Sequence, residues 1–315
     1  MSNKFAKPSA AALAAPGAIF ACLLWGSAFP MIKTGLEYVK PLTFAGWRFI
    51  LAGAILLPLC GRPSRYFKAV RTHWRLIVVV SMIQTVLLYT LFFIGMEWVQ
   101  GAHAAIICGS APLVTGLLAH WLMPNERLTP IKFCAIALGL AGVVLLAAAQ
   151  KPIETSGLRQ LAGMGLLVTS VVCASGANIL VARYGRTVNP MVLNSVQIGL
   201  GGLVLTVIAL VAEKQPTELP PLEFFGAMAW LAVISAACFS IWFALLKHVK
   251  VSKLEMWKFL LPVFGAALSW MILPEESPTW SSLVGVACVA TAVAVSQMLG
   301  RNQHAEPGTG RTPSV

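Results

Sequence analysis

Apolar positions in this chain come in long runs, not in the short alternations of a soluble fold. Ten charge-poor runs near 20 residues stand out: 11–32, 42–60, 76–96, 102–123, 133–150, 160–182, 190–212, 224–246, 254–273 and 279–299. A helix of that length crosses the hydrocarbon core of a bilayer. The pattern predicts an all-α integral membrane protein of ten transmembrane helices. The connections are short, which leaves no room for a sizeable soluble domain.

The runs repeat. Cys108-Gly109-Ser110-Ala111-Pro112 leads through an apolar helix to Pro124-Asn125-Glu126, and Leu261-Pro262-Val263-Phe264-Gly265 leads in the same way to Pro274-Glu275-Glu276. An offset of 150 also pairs Gly26 with Gly176, Tyr89 with Phe239 and Phe92 with Trp242, and an offset of 149 pairs Pro41 with Pro190 and Gly53 with Gly202. Each half holds five runs, an odd number, so the second half enters the membrane upside down. That is the inverted repeat common among secondary transporters. The expected organisation is a tail at 1–10, a first repeat at 11–149, an external connection at 150–159, a second repeat at 160–299 and a disordered tail at 300–315.

Composition agrees with the pattern. The chain is 58% hydrophobic and 11% charged, against roughly 25% charged in soluble domains, and its mean hydropathy is +0.80. The net charge of +12 does not mark a nucleic-acid ligand, because of where the cations sit. With the N-terminus inside, sixteen of the 23 Lys and Arg fall in cytoplasmic segments, five of them at 61–75, the longest basic loop. Outer segments hold only Lys33, Lys40, Lys151, Arg159 and Lys214. This asymmetry puts both termini in the cytoplasm. The first run resembles a signal peptide in its Lys4 and Lys7, but its glycines have partners in the second half, so it reads as an uncleaved helix. The seven cysteines lie in or at the ends of spans, and no Cys or His spacing suggests a metal site.

Trp25-Gly26-Ser27-Ala28-Phe29, Pro41 with Trp47-Arg48-Phe49, and Ala111-Pro112 leading to Glu126-Arg127 resemble the EamA-type members of the drug/metabolite transporter superfamily. So do Trp242-Phe243-Ala244-Leu245-Leu246-Lys247, Pro262 and Pro274-Glu275-Glu276. The resemblance covers residues 14–299. It implies two inverted five-helix halves, export of amino acids or other small metabolites, and a central cavity lined by helices 1, 3, 4, 6, 8 and 9. The chain departs from the family in having Pro-Asn-Glu and Pro-Glu-Glu where Gly-Glu is common.

Candidate site residues follow from polar or aromatic groups inside spans. Trp25, Gln84, Tyr89, Asn178, Phe239 and Trp242 are candidates to line a substrate cavity. The aromatic residues can instead serve packing, and the amides of Gln84 and Asn178 can serve interhelical hydrogen bonds. Arg48 lies within a span, where a charge is costly unless paired; it either binds an anionic group or pairs with helix-end carbonyls or Glu37. Glu255 and Lys258 share one helical face and read as an ion pair or a gate latch. Pro112 and Pro262 break the backbone ladder at equivalent places, which suits paired hinges as well as ordinary kinks.

The function that fits is a secondary transporter exporting small metabolites, amino acids foremost, across the plasma (inner) membrane by alternating access. No cofactor or metal is expected, and the expected partners are a small-molecule substrate and the lipid bilayer, with no nucleic acid, for a chain acting as a monomer. A membrane-embedded enzyme is disfavoured because the chain has no Asp and no Ser/His or His/His cluster at one depth. A receptor or scaffold is disfavoured by the short loops. The topology has a direct test. A cysteine introduced at Thr217 is expected to react with an impermeant thiol reagent from the outside; reaction from the cytoplasmic side alone would sink the inverted-repeat reading.

Overall fold

The computed structural model describes residues 14–99, 101–124, 126–150, 157–272 and 278–302. The tail at 1–10, most of the 150–159 connection, and Pro274, Glu275 and Glu276 lie outside them. The described residues are helical, with no strand among them. Among the described residues, seven helical stretches are long and apolar enough to cross a membrane, and Ala14–Gly26 and Ile106–Leu122 are shorter apolar helices.

In chain order the helices are α1 (Ala14–Gly26), α2 (Ala28–Leu36), α3 (Pro41–Leu56), α4 (Pro63–Val80), α5 (Leu88–Trp98), α6 (Gly101–Gly109), α7 (Ala111–Leu122), α8 (Pro130–Gln150), α9 (Gly157–Tyr184), α10 (Pro190–Ala212), α11 (Leu222–Leu246), α12 (Val251–Glu255), α13 (Leu260–Ile272) and α14 (Trp280–Asn302). Prolines start α3, α4, α8 and α10, where the missing N–H would have no intrahelical partner anyway. Other prolines mark breaks. Pro30 supplies no N–H to the Gly26 carbonyl, and α1 gives way to α2 at Ser27. Pro112 stands in the same relation to Cys108, and α6 gives way to α7 at Ser110. Before Pro262 the chain takes one 3-10 turn, Met256–Phe259. A π-turn, Ser81–Leu87, joins α4 to α5.

One expectation is corrected. Residues 61–75 are not a loop, because the helix begins at Pro63. Tyr66, Ala69 and Val70 pack on the core, while Arg65, Phe67, Lys68, Arg71, Trp74 and Arg75 are exposed. The charges interrupt the apolar run, but the segment is helical from Pro63 to a bend at His73 and again beyond it.

Helices related by the sequence offset pack on one another. Near the end of α3, Gly53 lies against Gly199 and Ser195 of α10, and nearer its start Gly46 lies against Gly202 and Thr206, so the two helices run antiparallel. In the α8–α14 pair, Gly142 lies against Gly285, Cys288 and Val289, and Leu146 lies against Gly285. Small residues bring backbones this close in membranes. A Cβ on Gly142 would stand 2.6 Å from the Gly285 carbonyl oxygen, and one on Gly53 would stand 2.8 Å from Gly199 Cα.

Two carboxylates tie distant segments together at helix starts. Glu126, just after α7, accepts hydrogen bonds from Val251 N (2.7 Å) and Ser252 N (2.8 Å) at the start of α12. Glu213, just after α10, accepts from Leu42 N and Thr43 N, both 2.8 Å, at the start of α3. Each satisfies backbone donors that a helix cannot satisfy itself and puts negative charge at the positive end of the dipole. The α11 helix separates the two clasps. Phe224 near its start touches Tyr38, Phe44 and Trp47 beside the Glu213 clasp, and its last turn leads to α12. The ends of the bundle can therefore be named. The basic end carries Arg71, Arg75, Arg127, Lys132, Arg183 and the lysines around 250; the far end carries Glu213.

The close crossings have a quantitative consequence. Gly142→Val is expected to lower stability by about 1–3 kcal/mol through overpacking. Gly226→Ala, at a position with nothing within 4 Å of a built Cβ, is expected to leave stability unchanged. Thermal unfolding of the purified proteins in detergent reads the difference, and equal transitions for both variants would contradict it.

Candidate functional site

The structure gathers eight of the eleven predicted residues into two clusters and leaves Gln84, Pro112 and Pro262 outside them. The first joins α1, α9, α11 and the segment α12–α13. Glu255 is 1% exposed and Lys258 16% exposed, and Lys258 Nζ lies 2.9 Å from Glu255 Oε2. Asn178 Nδ2 donates to Glu255 Oε1 at 2.8 Å. Lys258 Nζ stands 5.0 Å from the centre of the Trp242 ring, within cation–π range. Trp25 packs on Trp242 and on Phe239, with ring centroids 5.3 and 5.5 Å apart. The Cys22 thiol donates to the Trp257 carbonyl at 3.3 Å, tying α1 to the 3-10 turn. Lys258 and Trp25 thus touch Trp242 directly, Phe239 joins through Trp25, and Glu255 and Asn178 join through Lys258.

The sequence periodicity explains this convergence. Trp242 and Phe239 are three apart on α11, and Glu255 and Lys258 are three apart across the start of the 3-10 turn, so each pair shares a helical face. The turn itself sits three to six residues before Pro262. Two polar atoms in this cluster are buried without a protein partner, Asn178 Oδ1 and Trp242 Nε1. One is an acceptor and the other a donor. The cluster therefore offers a cation, a carboxylate, a free donor and a free acceptor beside aromatic walls.

The second cluster is built on α3 and α5. Arg48 is 4% exposed, and its guanidinium carbon lies 4.4 Å from the centre of the Phe49 ring and 5.4 Å from that of Tyr89. Tyr89 packs on Phe49 at 4.6 Å and on Phe93 at 6.1 Å. Arg48 Nε is buried without a hydrogen-bond partner. Arg48 thus sits under aromatic faces in this structure, and among the described residues it has no carboxylate partner. Tyr89 keeps company with Arg48 and not with the Trp25 group.

Gln84 stands apart from both. It is buried on the π-turn, and its Oε1 has no partner. Its neighbours on the turn are anchored to α10: Ser81 Oγ donates to the Gln197 carbonyl at 2.7 Å, and Thr85 Oγ1 donates to Gln197 Oε1 at 2.8 Å. Gln197 in turn donates to Asn194, which donates to Ser240 and to the Ala236 carbonyl. Pro112 is buried at the start of α7, where Thr115 donates to Ser175 of α9 at 2.7 Å. Pro262 is half-buried at the start of α13.

Sequence reasoning gave no role to the Glu126 clasp, the π-turn or the Cys22 contact. The visible signal for Glu126 was its place at the end of the repeated Pro-x-Glu; its acceptor role spans 125 residues and has no local signature.

Comparisons with known proteins agree on the class. The family described as EamA-like transporter family matches residues 12–148 and 161–298. An uncharacterized transporter of Bacillus subtilis, YvbV, is 24% identical over 91% of this chain and 92% of its own length. The S-adenosylmethionine/S-adenosylhomocysteine transporter of Chlamydia trachomatis is 27% identical over 81% of this chain and 80% of its own. A crystal structure superposes with a TM-score of 0.80 at 19% identity, covering 93% of this chain and 99% of that one, and so shares the fold.

The ion pair makes a testable demand. Lys258→Ala leaves Glu255 buried beside Asn178 alone and is expected to cost about 3 kcal/mol, whereas Glu255→Leu with Lys258→Met removes both charges and is expected to restore much of the loss. Denaturation in detergent reads both. A single variant as stable as wild type would show that the pair contributes nothing.

Proposed function

The chain belongs to the EamA-like transporter family, and from that premise we propose that it is a secondary carrier exporting small metabolites, amino acids foremost, across the plasma membrane by alternating access. The observation that carries the substrate class is the first cluster. An α-amino acid brings a carboxylate and an ammonium group a few ångströms apart. Lys258 and Trp242 Nε1 supply a cation and a free donor for the first. Glu255 and Asn178 Oδ1 supply a carboxylate and a free acceptor for the second. Trp25, Phe239 and Trp242 supply the aromatic surface beside these polar groups, the aromatic-plus-few-polar combination usual for small-molecule sites. The named substrates of the Chlamydia relative both carry an α-amino-acid group.

The fold is read as ten spans in two inverted halves, which the antiparallel packing of offset-related α3 and α10 supports, with both termini in the cytoplasm, which the asymmetry of Lys and Arg supports. In this reading the breaks before Pro112 and Pro262 are hinges, one in each half, and Glu255 and Lys258 close the basic end. Gln84 and Tyr89 belong to the cavity wall on α5 and its π-turn, and Arg48 braces that wall. The carrier acts as a monomer and is not an enzyme.

The test is transport into liposomes holding the purified protein, with radiolabelled amino acids and unrelated metabolites compared. Trp242→Ala and Lys258→Ala are expected to lower amino-acid transport tenfold or more, with the half-saturation concentration raised, and Tyr89→Ala to lower it less. Stably inserted variants of Trp242 and Lys258 that transport at wild-type rates would overturn the site. In the same vesicles, Pro112→Ala and Pro262→Ala are expected to move the thiol accessibility of Cys173 in opposite directions, and a shift in one common direction would show that the prolines are packing features.

A further inference from the structure

A groove of about 610 Å³ lies at the basic end, between α4 and the last turns of α9. Its walls include Arg71, His73, Trp74, Arg75, Leu180 and Tyr184. It sits where α4 changes character. Up to Arg75 the helix is amphipathic, and from Leu76 onward it becomes apolar and enters the bundle. The backbone departs from helical geometry at His73, with φ −114° and ψ 17°. The groove is therefore built at the bend between an interfacial segment and a spanning one.

Its chemistry is one-sided. From Arg62 to Arg75 the chain carries five Lys and Arg and no carboxylate, and no carboxylate lines the groove. Arg71 and Arg75 are exposed and have no acidic partner among the described residues. The Arg75 guanidinium stands 5.6 Å from the Trp74 ring, and Arg183 stands 5.3 Å from the Tyr184 ring. Trp74 and Tyr184 are each 54% exposed, as suits rings at the level of lipid headgroups. Below them the groove continues over Leu76, Val79 and Leu180, which are apolar.

We propose that this groove binds an anionic phospholipid from the leaflet that the basic end meets. Arg71 and Arg75 hold the phosphodiester, since the guanidinium fork matches phosphate oxygens. One acyl chain lies along Val79 and Leu180. A free phosphate would use the cations but not the apolar floor, and a zwitterionic lipid would use the floor but leave the excess positive charge unmatched. Basic pockets between membrane helices bind such headgroups by this combination. The inference rests on the chain spanning a bilayer and not on the carrier assignment.

The experiment uses the full chain, delipidated in neutral detergent and titrated with phosphatidylglycerol, phosphatidylcholine or inorganic phosphate, with bound lipid read by native mass spectrometry. Phosphatidylglycerol is expected to be retained over phosphatidylcholine. Arg71→Gln with Arg75→Gln is expected to weaken that retention by tenfold or more, at about fivefold per cation. Arg62→Gln with Arg65→Gln removes the same charge from the start of α4 and the residue before it, outside the groove, and is expected to change retention by less than threefold. Equal losses in the two double variants would show a diffuse charge effect and overturn the site. So would equal retention of the two lipids by wild type, or displacement of phosphatidylglycerol by inorganic phosphate. A readout needing no variant is amide exchange of wild type in nanodiscs: residues 71–76 are expected to be slower in phosphatidylglycerol than in phosphatidylcholine, and identical rates would count against the proposal.

Discussion

A bilayer core offers no water to a free amide or carbonyl, and the architecture follows from that constraint. The long spans α9, α10 and α11 are helical without interruption. The chain breaks at Ser27, at Ser110 and at Met256–Phe259. Each break is backed by protein: α1 and α13 meet at Gly26 and Phe264, α7 is bonded to α9 through Thr115 and Ser175, and the 3-10 turn is held to α1 through Cys22. Helix starts pose the same problem at the bundle ends. Glu126 and Glu213 solve it across the chain, the first-half carboxylate capping a second-half helix and the second-half carboxylate capping a first-half one.

Much of this was legible in the order of residues. The run 190–212 coincides with α10, and 224–246 differs from α11 by two residues at its start, because hydrocarbon selects apolar residues at every position of a span. The amphipathic beginning of α4 was hidden by the same criterion, since five cations in fourteen residues read as loop when only hydropathy is weighed. The π-turn had no signal at all; one extra residue per turn leaves composition unchanged.

The site was legible residue by residue but not as a constellation. Glu255 and Lys258 were paired correctly because helical spacing is local. That Asn178 completes the pair, 77 residues away, and that Trp242 covers it, depends on how α9 and α11 pack. The sequence offered Tyr89 and Trp242 as equivalents of one kind, aromatic and mid-span. Packing separates them: one lies under a buried arginine and the other over a lysine. Which partner an aromatic ring finds is decided by tertiary contact, and hydropathy is blind to it.

The repeat relates backbones, not chemistry. At the offset of 150, Glu255 and Lys258 correspond to Ala105 and Cys108, and Asn178 corresponds to Ala28. The charged layer therefore has no twin. In a carrier of this kind the two half-cycles would cross unlike barriers: separating ions at one end responds to ionic strength, and parting apolar surfaces at the other does not. Such a machine can present different half-saturation concentrations to its two faces. Microscopic reversibility would still bind it: the built-in asymmetry would tune how fast each face loads and empties, while net flux would follow the driving gradients.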